Sequence, residues 1–328
     1  MTGDAAEWRP TAGLTALKRR AAMLARLHAF FAEREVLEVE TPLLSAETTL
    51  DPHLEPLSSA VEAPGIDGRR MYLQTSPELA MKRMLAAGSG SIYQVCKAFR
   101  GGERGRWHNP EFTILEWYRV GWDVHRLMRE VAALIETLLA GSRRLEPATY
   151  VGYADLMRRH AGIDPYDAST GALRRAVADG PSPVDTTDLD RDDLLSRLFG
   201  ERVEPEFATD RVTVVFDYPA SQAAMAQLNA SDPRTAERFE AYVGDIELAN
   251  GYGELCDPAE QRQRLEYDLA SRRRTGQPLP PIPSRFLAAL ESGLPPCAGV
   301  ALGFDRLLGL DLEAGSIDEL ISFPIERA

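Results

Sequence analysis

The segment CKAFRGGERGRWHNPEFTILEWYR gathers four arginines around glycines and then continues into an alternating stretch. An arginine fork can bind phosphate oxygens in a bidentate manner, and a phenylalanine ring offers a face for a purine base. With a period of two, Phe112, Glu116 and Tyr118 share one face of a strand, and Arg100 stands at the end of the preceding strand. The pattern predicts a site for a phosphate compound beside a carboxylate and a phenol. The alternative is a solvated Arg/Gly turn that leads into a half-buried strand.

Two further segments carry candidate groups. In DIELANGYGEL, Glu247 and Glu254 are seven residues apart across a predicted tight bend at NGYG, and together they would hold Mg²⁺ or a substrate ammonium. In GVALGFDRLLGL, Gly303 would let a ligand approach the backbone, and Arg306 lies in the first turn of the following helix. The alternatives are two exposed carboxylates on a hairpin, and a helix with an Asp305–Arg306 ion pair.

The segment TSPEL predicts a helix start, with Ser76 as N-cap and Pro77 at the first helical position. A second interpretation, compatible with the first, is that Ser76 and Glu78 also face the amine of a ligand.

Helices and strands must position these groups. Alternating apolar residues predict strands, steps of three and four predict helices, and a hairpin joins each pair of neighbouring strands. Residues 142–210 show short helical patterns and are interpreted as an inserted helical region. Because the strands come in antiparallel hairpins with helices between them, the fold class is α+β, with an antiparallel sheet flanked by helices. The main predictions are helices over 14–31, 76–88 and 123–141, strands over 91–99, 112–119 and 211–219, a hairpin over 239–255 that turns at Gly244 and Asp245, and a strand-to-helix passage over 297–310.

Composition narrows the function classes. The 328 residues suffice for one large core, or for one domain with an insertion. The net charge of −13 argues against a duplex nucleic acid as partner, so the clustered arginines suit a small polyanion. The sequence has neither an 18-residue apolar run nor a secretory signal, and its three cysteines are far apart, which predicts a cytoplasmic protein with reduced thiols and no membrane partner.

Three pieces, in this order, resemble the motifs of class II aminoacyl-tRNA synthetases. EVETPLL with Pro42 resembles motif 1, FRGGERGRWHNPEF resembles motif 2, and GVALGFDR resembles motif 3. The segments HNPEFTILEWY and ELANGYGEL resemble the lysyl-tRNA synthetase branch. The likeness spans about residues 10–328, which implies a single class II catalytic domain over 1–328, and motif 1 implies a homodimer.

Within that branch the chain resembles the stand-alone family of elongation factor P–(R)-β-lysine ligases. The motif 1 helix starts near residue 12, and we therefore expect no N-terminal anticodon-binding domain. The resemblance implies that ATP activates (R)-β-lysine, or L-lysine, as an adenylate. It also implies transfer to a lysine side chain of elongation factor P, without tRNA. The alternatives are a truncated lysyl-tRNA synthetase-like enzyme that activates L-lysine, and a non-catalytic regulatory paralogue.

Matching motif to motif implies a role for each candidate residue. Arg100 and Arg306 would be the catalytic residues, and Glu247 and Glu254 would hold Mg²⁺. The residues implied at the ATP site are Arg100, Glu103, His108, Asn109, Phe112, Glu247, Leu248, Gly303 and Arg306. The residues implied at the amino-acid site are Ser76, Pro77, Glu78, Glu116, Tyr118, Glu254 and Ala301.

The sequence departs from the synthetase pattern at two places. The family usually has Asn-Glu after the motif 2 arginine, whereas this chain has Gly101 and Gly102 and an acid only at Glu103, so the glutamate that would contact the adenine amino group is displaced or missing. Lysyl-tRNA synthetases have a glycine where this chain has Ala301, an alanine that the β-lysine ligases share. One methyl group in a pocket is worth about 1–3 kcal/mol of discrimination, which favours β-lysine over α-lysine.

Overall fold

A computed structural model of the chain describes residues 8–62, 64, 68–181 and 184–328. The helices are α1 (Leu14–Ala32), α2 (Glu78–Ala86), α3 (Val124–Leu139), α4 (Tyr153–Leu156), α5 (Thr170–Ala178), α6 (Arg191–Arg202), α7 (Pro258–Arg274), α8 (Ser284–Gly293) and α9 (Phe304–Leu312). The strands are β1 (Leu37–Glu38), β2 (Leu44–Ser45), β3 (Ser58–Val61), β4 (Arg69–Leu73), β5 (Ile92–Phe99), β6 (Glu111–Val120), β7 (Glu146–Gly152), β8 (Arg211–Pro219), β9 (Thr235–Val243), β10 (Ile246–Gly253) and β11 (Cys297–Gly303).

The described residues group into two compact units. The first comprises Met1–Gly121, Cys256–Cys297 and Ala301–Ala328, and the second comprises Trp122–Leu255 and Ala298–Val300. The strand β11 therefore has residues in both units. The prediction that the whole chain is one domain with an insertion at 142–210 stays a prediction.

The first unit is built on the hairpin of β5 and β6. The two strands pair antiparallel from Ile92 opposite Tyr118 to Phe99 opposite Glu111, while β1 lies parallel to β5 on the other side. The helix α9 packs against β6, and α1 packs against α9. A separate three-stranded sheet has the order β2-β4-β3. The β5–β6 hairpin thus holds the Arg/Gly loop between two long strands.

The second unit is built on the order β7-β8-β9-β10. Strands β8, β9 and β10 are antiparallel neighbours, and β7 runs parallel to β8. The helices of the predicted insertion pack their apolar side chains on this sheet, in a core that includes Tyr153, Leu198, Phe199, Tyr218 and Tyr242. The ring of Tyr153 stacks on that of Phe199 with centroids 4.9 Å apart. The insertion is therefore anchored by aromatic packing.

The α+β fold class predicted from the sequence is confirmed. The sheet is mixed, since the pairs β1–β5 and β7–β8 are parallel, and an alternating pattern alone does not report strand direction. Strand β7 lies inside the region predicted to be helical, so that interpretation is wrong for Glu146–Gly152. Residues 182–183 of that region lie outside the described residues.

Helix ends follow local hydrogen-bonding chemistry. Asp257 accepts hydrogen bonds from the backbone of Ala259 and Glu260, and Pro258 occupies the first position of α7, where its missing amide hydrogen is not needed. The helix α2 starts at Glu78, one residue later than predicted, yet Ser76 Oγ still accepts from the Glu78 amide at 3.0 Å. The predicted N-cap is therefore wrong by one residue, since Pro77 occupies the N-cap position and Ser76 bonds the first amide of the helix from the position before it.

The tight bend predicted at NGYG is wrong, because Asn250–Gly253 continue β10 as a regular strand. A bulge lies instead between Glu247 and Ala249, where β10 has one residue more than its partner β9. Glycine suits this strand because a Cβ at Gly251 would come within 2.5 Å of the Phe239 ring. The glycines serve close packing against β9 and do not turn the chain.

Candidate active site

Arg100 follows β5 directly and is fixed on the first-unit hairpin. Its backbone amide donates to Pro110 O at 2.9 Å, and its Nε donates to Thr75 O at 3.3 Å. Its guanidinium carbon lies 5.0 Å from the centre of the Phe112 ring, and Nη1 lies 3.7 Å from Glu103 Oε1. The guanidinium is therefore held by backbone and ring contacts, with only a loose contact to a carboxylate.

His108 interacts with cations from two distant segments. Arg306 Nη2 donates to His108 Nε2 at 2.7 Å, so the ring nitrogen is the acceptor and this geometry fits a neutral imidazole. Partial burial, then Arg306 and further Arg100, hold the pKa of His108 below its usual value, with Glu103 opposing them. We call Arg100, Glu103, His108, Phe112 and Arg306 the arginine cluster. It brings together residues from both predicted phosphate motifs of the first unit.

The start of α9 is locked to β6 and α1 by a buried carboxylate. Asp305, 2% exposed, accepts from the Thr113 amide at 2.6 Å and from Arg20 of α1. The expected alternative of an Asp305–Arg306 ion pair is not what forms, since Asp305 pairs with Arg20. While Asp305 pairs with Arg20, the guanidinium of Arg306 bonds His108. The helix before the motif 1 segment and the strand that follows the motif 2 segment are thus joined to the motif 3 segment through one side chain.

The C-terminal segment is bonded to the Arg/Gly loop. Arg104 bonds Glu326 at 2.6 Å and Asp318 at 2.9 Å. Asn109 is 2% exposed, donates to Glu111 O at 2.7 Å and accepts from the Ile325 amide at 3.1 Å. Both ends of the Asn109 amide are engaged within the chain, so this side chain is placed to hold the loop.

Gly101 and Gly102 fit a backbone that other residues would strain. Gly102 has φ +74°, in the left-handed region, and a Cβ at Gly101 would lie 3.1 Å from side-chain carbons of Glu55. The amide of Gly101 donates to Glu55 O at 2.8 Å. The two glycines therefore let the loop backbone pass close to the Glu55 segment. Glu103 is the acidic residue of this turn that contacts Arg100.

A second group of polar side chains lies at α2 and β6. Ser76 Oγ donates to Glu116 Oε1 at 2.5 Å, and Tyr118 Oη donates to Glu116 Oε2 at 3.3 Å. Lys82 Nζ donates to Glu78 Oε1 at 2.6 Å. Burial, and then the nearby charge of Glu78, raise the pKa of Glu116 to about 8. We call these five residues the acidic cluster.

Four of the residues in the acidic cluster were predicted from the sequence, and Lys82 was missed. Its signal was present, because Lys82 stands four residues after Glu78, the spacing at which side chains on a helix meet. Of the other residues assigned to this site, Pro77 is buried before α2, and Ala301 is half-buried in β11. Gly303 packs beside Arg306, whose Cδ lies 3.5 Å from where a Gly303 Cβ would be.

The second unit carries the remaining predicted residues on β10 and just after it. Glu247 is opposite Tyr242, and Asn250 is opposite Glu240, so the bulge between them puts Glu247 and Asn250 on one face. Continuing with period two from Asn250, Glu254 falls on that face as well. Without the bulge, an odd separation of seven residues would place the two carboxylates on opposite faces. Leu248 and Glu254 are buried, at 1% and 2% exposed.

The same face holds a network that the sequence analysis did not identify. Glu240 accepts from Arg238 Nη2 at 2.6 Å, from Tyr218 Oη at 2.7 Å and from Tyr242 Oη. Burial, and then Glu240, raise the pKa of Tyr218 well above its usual value. The guanidinium of Arg238 lies 4.8 Å from the Tyr218 ring centre. The alternation of FEAYV predicts β9, but nothing in the sequence indicates that Tyr218 of β8 bonds Glu240.

The donor chemistry limits what these groups can do. Among the residues that the structure describes, no group of three or more His, Cys, Asp and Glu side chains is close enough to hold a metal ion. Two carboxylates with substrate phosphates and waters are, however, a common way to bind Mg²⁺, and Glu247 and Glu254 share a face. The arginine cluster suits phosphate oxygens, and the acidic cluster suits an ammonium group. Over the described ranges, none of the helices is both long and apolar enough to span a bilayer.

Comparison with known proteins extends these observations. The family described as tRNA synthetases class II (D, K and N) matches residues 6–327. The chain is 47% identical over 327 residues to the elongation factor P–(R)-β-lysine ligase of Edwardsiella ictaluri (strain 93-146), covering 99% of each chain. It is also 47% identical, with the same coverage, to the proteins of that name from Klebsiella pneumoniae (strain 342) and Salmonella paratyphi C (strain RKS4594). The resemblance inferred from the three motifs is confirmed: the chain belongs to the class II tRNA synthetase family.

Proposed function

We propose that this protein is an ATP-dependent, AMP-forming ligase that activates (R)-β-lysine and attaches it to a lysine side chain of translation elongation factor P. Relatives that bear this activity in their names share 47% of their residues with it along almost the whole chain. The observation that carries the proposal is the arginine cluster, where Arg100 and Arg306 both lie near His108. Guanidinium groups match the geometry of phosphate oxygens, so two of them near one another suit a triphosphate.

The first step forms the adenylate. A carboxylate oxygen of the amino acid attacks the α-phosphorus of ATP, and the bond to the bridging oxygen breaks, so that pyrophosphate leaves. The attacking carboxylate is already ionised, hence catalysis needs alignment and charge stabilisation and no general base. Arg100 would stabilise the charge on the α-phosphate, and Arg306 would hold the remaining phosphates. Their fixed positions reduce the reorganisation needed during the step.

Further residues are assigned to the ATP site by their match to the family motifs. Phe112 offers its ring to the base, while Asn109 would hold the Arg/Gly loop and Gly303 would keep space next to Arg306. We further assign to this site Glu103, His108, Glu247 and Leu248. Mg²⁺, when bound, would neutralise phosphate charge, and Glu247 with Glu254 would hold it.

The amino-acid site would be the acidic cluster. Glu78 and Glu116 would pair with the ammonium groups of the diamine, and Ser76 and Tyr118 would orient Glu116 through the bonds described above. The match to the family motif also assigns Glu254 to amino-acid binding. Pro77 would shape the entry to α2, and the methyl group of Ala301 would narrow the site in favour of β-lysine.

The second step transfers the aminoacyl group. The neutral amine of the acceptor lysine attacks the adenylate carbonyl, the bond to the phosphate oxygen breaks, and AMP leaves. We place the enzyme in the cytoplasm as a single catalytic domain with an insertion at 142–210. We also propose a homodimer through the motif 1 region, which exposes Trp8 at 72%, Leu14 at 66% and Leu37 at 55%.

The proposal is tested by ATP–pyrophosphate exchange with (R)-β-lysine, with L-lysine and without amino acid, measured side by side. We expect exchange with both isomers and a higher kcat/KM for (R)-β-lysine. Labelled β-lysine should then become bound to elongation factor P and not to tRNA. Exchange that is absent with either isomer would indicate a non-catalytic paralogue, and charging of tRNA would indicate a tRNA synthetase.

A further inference from the structure

The absence of side chains at Gly101 and Gly102 leaves a space beside the Arg/Gly loop, and the side chain of Glu55 fills it. A Cβ at Gly101 would lie 3.1 Å from both Cγ and Cδ of Glu55, which is closer than ordinary van der Waals contact. A Cβ at Gly102 would lie 3.5 Å from Glu55 Oε2. The carboxylate of Glu55 is therefore located where a side chain at position 102 would begin.

The backbone of Glu55 is joined to the same loop. Glu55 and Gly101 form an antiparallel bridge, in which the Gly101 amide donates to Glu55 O at 2.8 Å. The amide of the preceding residue, Arg100, donates to Pro110 O at 2.9 Å. Successive amides thus bond the chain to Pro110 and to Glu55, and the Glu55 carboxylate is held next to the residue that follows Arg100.

A buried arginine fixes the segment that leads to Glu55. Arg272 of α7 is 1% exposed, and its guanidinium donates to three backbone carbonyl oxygens, those of Leu50 at 2.8 Å, Asp51 at 2.6 Å and Leu54 at 2.5 Å. Displacing this segment would leave buried donors of Arg272 without acceptors, which is costly. The position of Glu55 beside the loop is therefore a property of the fold.

The carboxylate of Glu55 is available to a ligand. The side chain is exposed, and among the residues that the structure describes none donates a hydrogen bond to it. An ionised carboxylate accepts hydrogen bonds and donates none, so it does not suit phosphate oxygens. The donors that ATP offers to such a group are the 6-amino group of its base and the hydroxyls of its ribose.

We propose that Glu55 is the residue by which this enzyme distinguishes adenine from 6-oxo purines, because its carboxylate accepts a hydrogen bond from the 6-amino group of ATP. This inference rests on the proposed function. The base is favoured over the ribose because Glu55 Oε2 lies beside position 102, where the synthetase pattern has the glutamate that Gly102 replaces here. The acid that contacts the base would then come from a different segment of the chain. A carboxylate also rejects a 6-oxo purine, since two acceptors then face one another.

The test is Glu55→Ala in pyrophosphate exchange with (R)-β-lysine and one of three nucleotides: ATP, inosine triphosphate (ITP), which has a 6-oxo group, or 2′-deoxy-ATP. The ratio of kcat/KM for ATP to that for ITP should fall at least about tenfold, because a hydrogen bond to a charged group is lost. The ratio for ATP to 2′-deoxy-ATP should stay within about twofold of the wild-type value. Calorimetric titration with ATP and with ITP, without amino acid, should show the same change in binding.

The matched control is Glu111→Ala, which removes another exposed carboxylate next to the same loop and its pair with Lys97 at 3.5 Å. Both ratios should stay within about twofold, since exposed pairs contribute little. Equal losses with ATP and ITP in Glu55→Ala would overturn the inference, as would a change confined to the 2′-deoxy-ATP ratio. Exchange that is absent in the wild type with every nucleotide would instead overturn the proposed function.

A second experiment introduces Gly102→Glu into the wild type and into Glu55→Ala. In the wild type the new side chain meets the Glu55 carboxylate, so the KM for ATP should rise. In Glu55→Ala the same change returns a carboxylate to the vacated place, so the KM for ATP should fall. The strain of a side chain at Gly102, which has φ +74°, is common to both backgrounds. A change of the same sign in both would show that the two positions do not serve one contact and would refute the inference.

Discussion

Two strands of this protein carry the same short pattern, a glutamate followed two residues later by a tyrosine whose hydroxyl donates to it. On β6 the pair is Glu116 and Tyr118, and on β9 it is Glu240 and Tyr242. Both carboxyls are buried, at 2% and 8% exposed. The difference lies in what else each carboxyl contacts. Arg238 bonds Glu240 at 2.6 Å, whereas the other donor to Glu116 is the hydroxyl of Ser76.

The comparison separates a structural carboxylate from one available to a ligand. The charge of Glu240 is neutralised within the protein by Arg238, and further hydroxyls complete its bonds. Burial raises the pKa of Glu116 and so disfavours its ionised form. We propose that binding of a ligand cation favours that form. The arginines near the two carboxyls differ in the same way. Arg238 Nη2 bonds Glu240 at 2.6 Å, whereas Arg100 Nη1 lies 3.7 Å from Glu103 Oε1. Similar sequence patterns thus give an internally paired carboxylate in one hairpin and, as we propose, a ligand-binding carboxyl in the other.

The largest expected effect is that of Arg100→Ala. By analogy with the loss of one oxyanion donor, ATP–pyrophosphate exchange should fall on the order of 10² to 10³-fold. The melting temperature should stay close to that of the wild type, because the ion pair of Arg100 with Glu103 is loose, at 3.7 Å. Exchange at the wild-type rate would show that Arg100 does not act in the mechanism. The proposed difference between Arg100 and Arg238 would then fail.

The converse test is Glu240→Gln on the second hairpin. The change leaves the Arg238 charge buried without its carboxylate, which should lower the free energy of unfolding by about 3 kcal/mol. Urea denaturation measures this loss, and kcat/KM for the amino acid should change less than about threefold. A stable variant with a large loss of activity would show that Glu240 acts in recognition, and the two hairpins would no longer differ.

A sharper test concerns the turns of the two hairpins, each of which has a glycine in the left-handed region. Gly102 has φ +74° and Gly244 has φ +58°. Gly102→Glu restores the residue usual in the wider family, yet it should cost about 1–2 kcal/mol of stability, as should Gly244→Ala. In addition, only Gly102→Glu should raise the KM for ATP. A lower KM for ATP in this variant would mean that the missing glutamate limits the enzyme.

Much of this fold could be predicted from sequence, because the signals are local. Alternation predicts β8 over 211–219 and the β5–β6 hairpin, and capping residues indicate where α7 begins. The bulge in β10 could not be predicted, since it depends on how β10 meets β9. Arg104 and Glu326 are 222 residues apart, and no local pattern reports their contact. Residue types and spacing singled out most members of the arginine and acidic clusters, family resemblance assigned their roles, and those roles stay predictions.

The smallest expected effect is the pH dependence of amino-acid binding. Because the pKa of Glu116 is raised to about 8, its ionised form increases as pH rises through that value. The kcat/KM for (R)-β-lysine should therefore rise roughly fivefold between pH 7 and pH 8, as the ionised fraction does. Glu116→Gln should have a lower kcat/KM and lack this rise, whereas Glu240→Gln should retain it, because Glu240 is already neutralised by Arg238. If Glu116→Gln keeps the same pH profile, the titrating group is elsewhere, and burial of Glu116 does not distinguish the two hairpins in function.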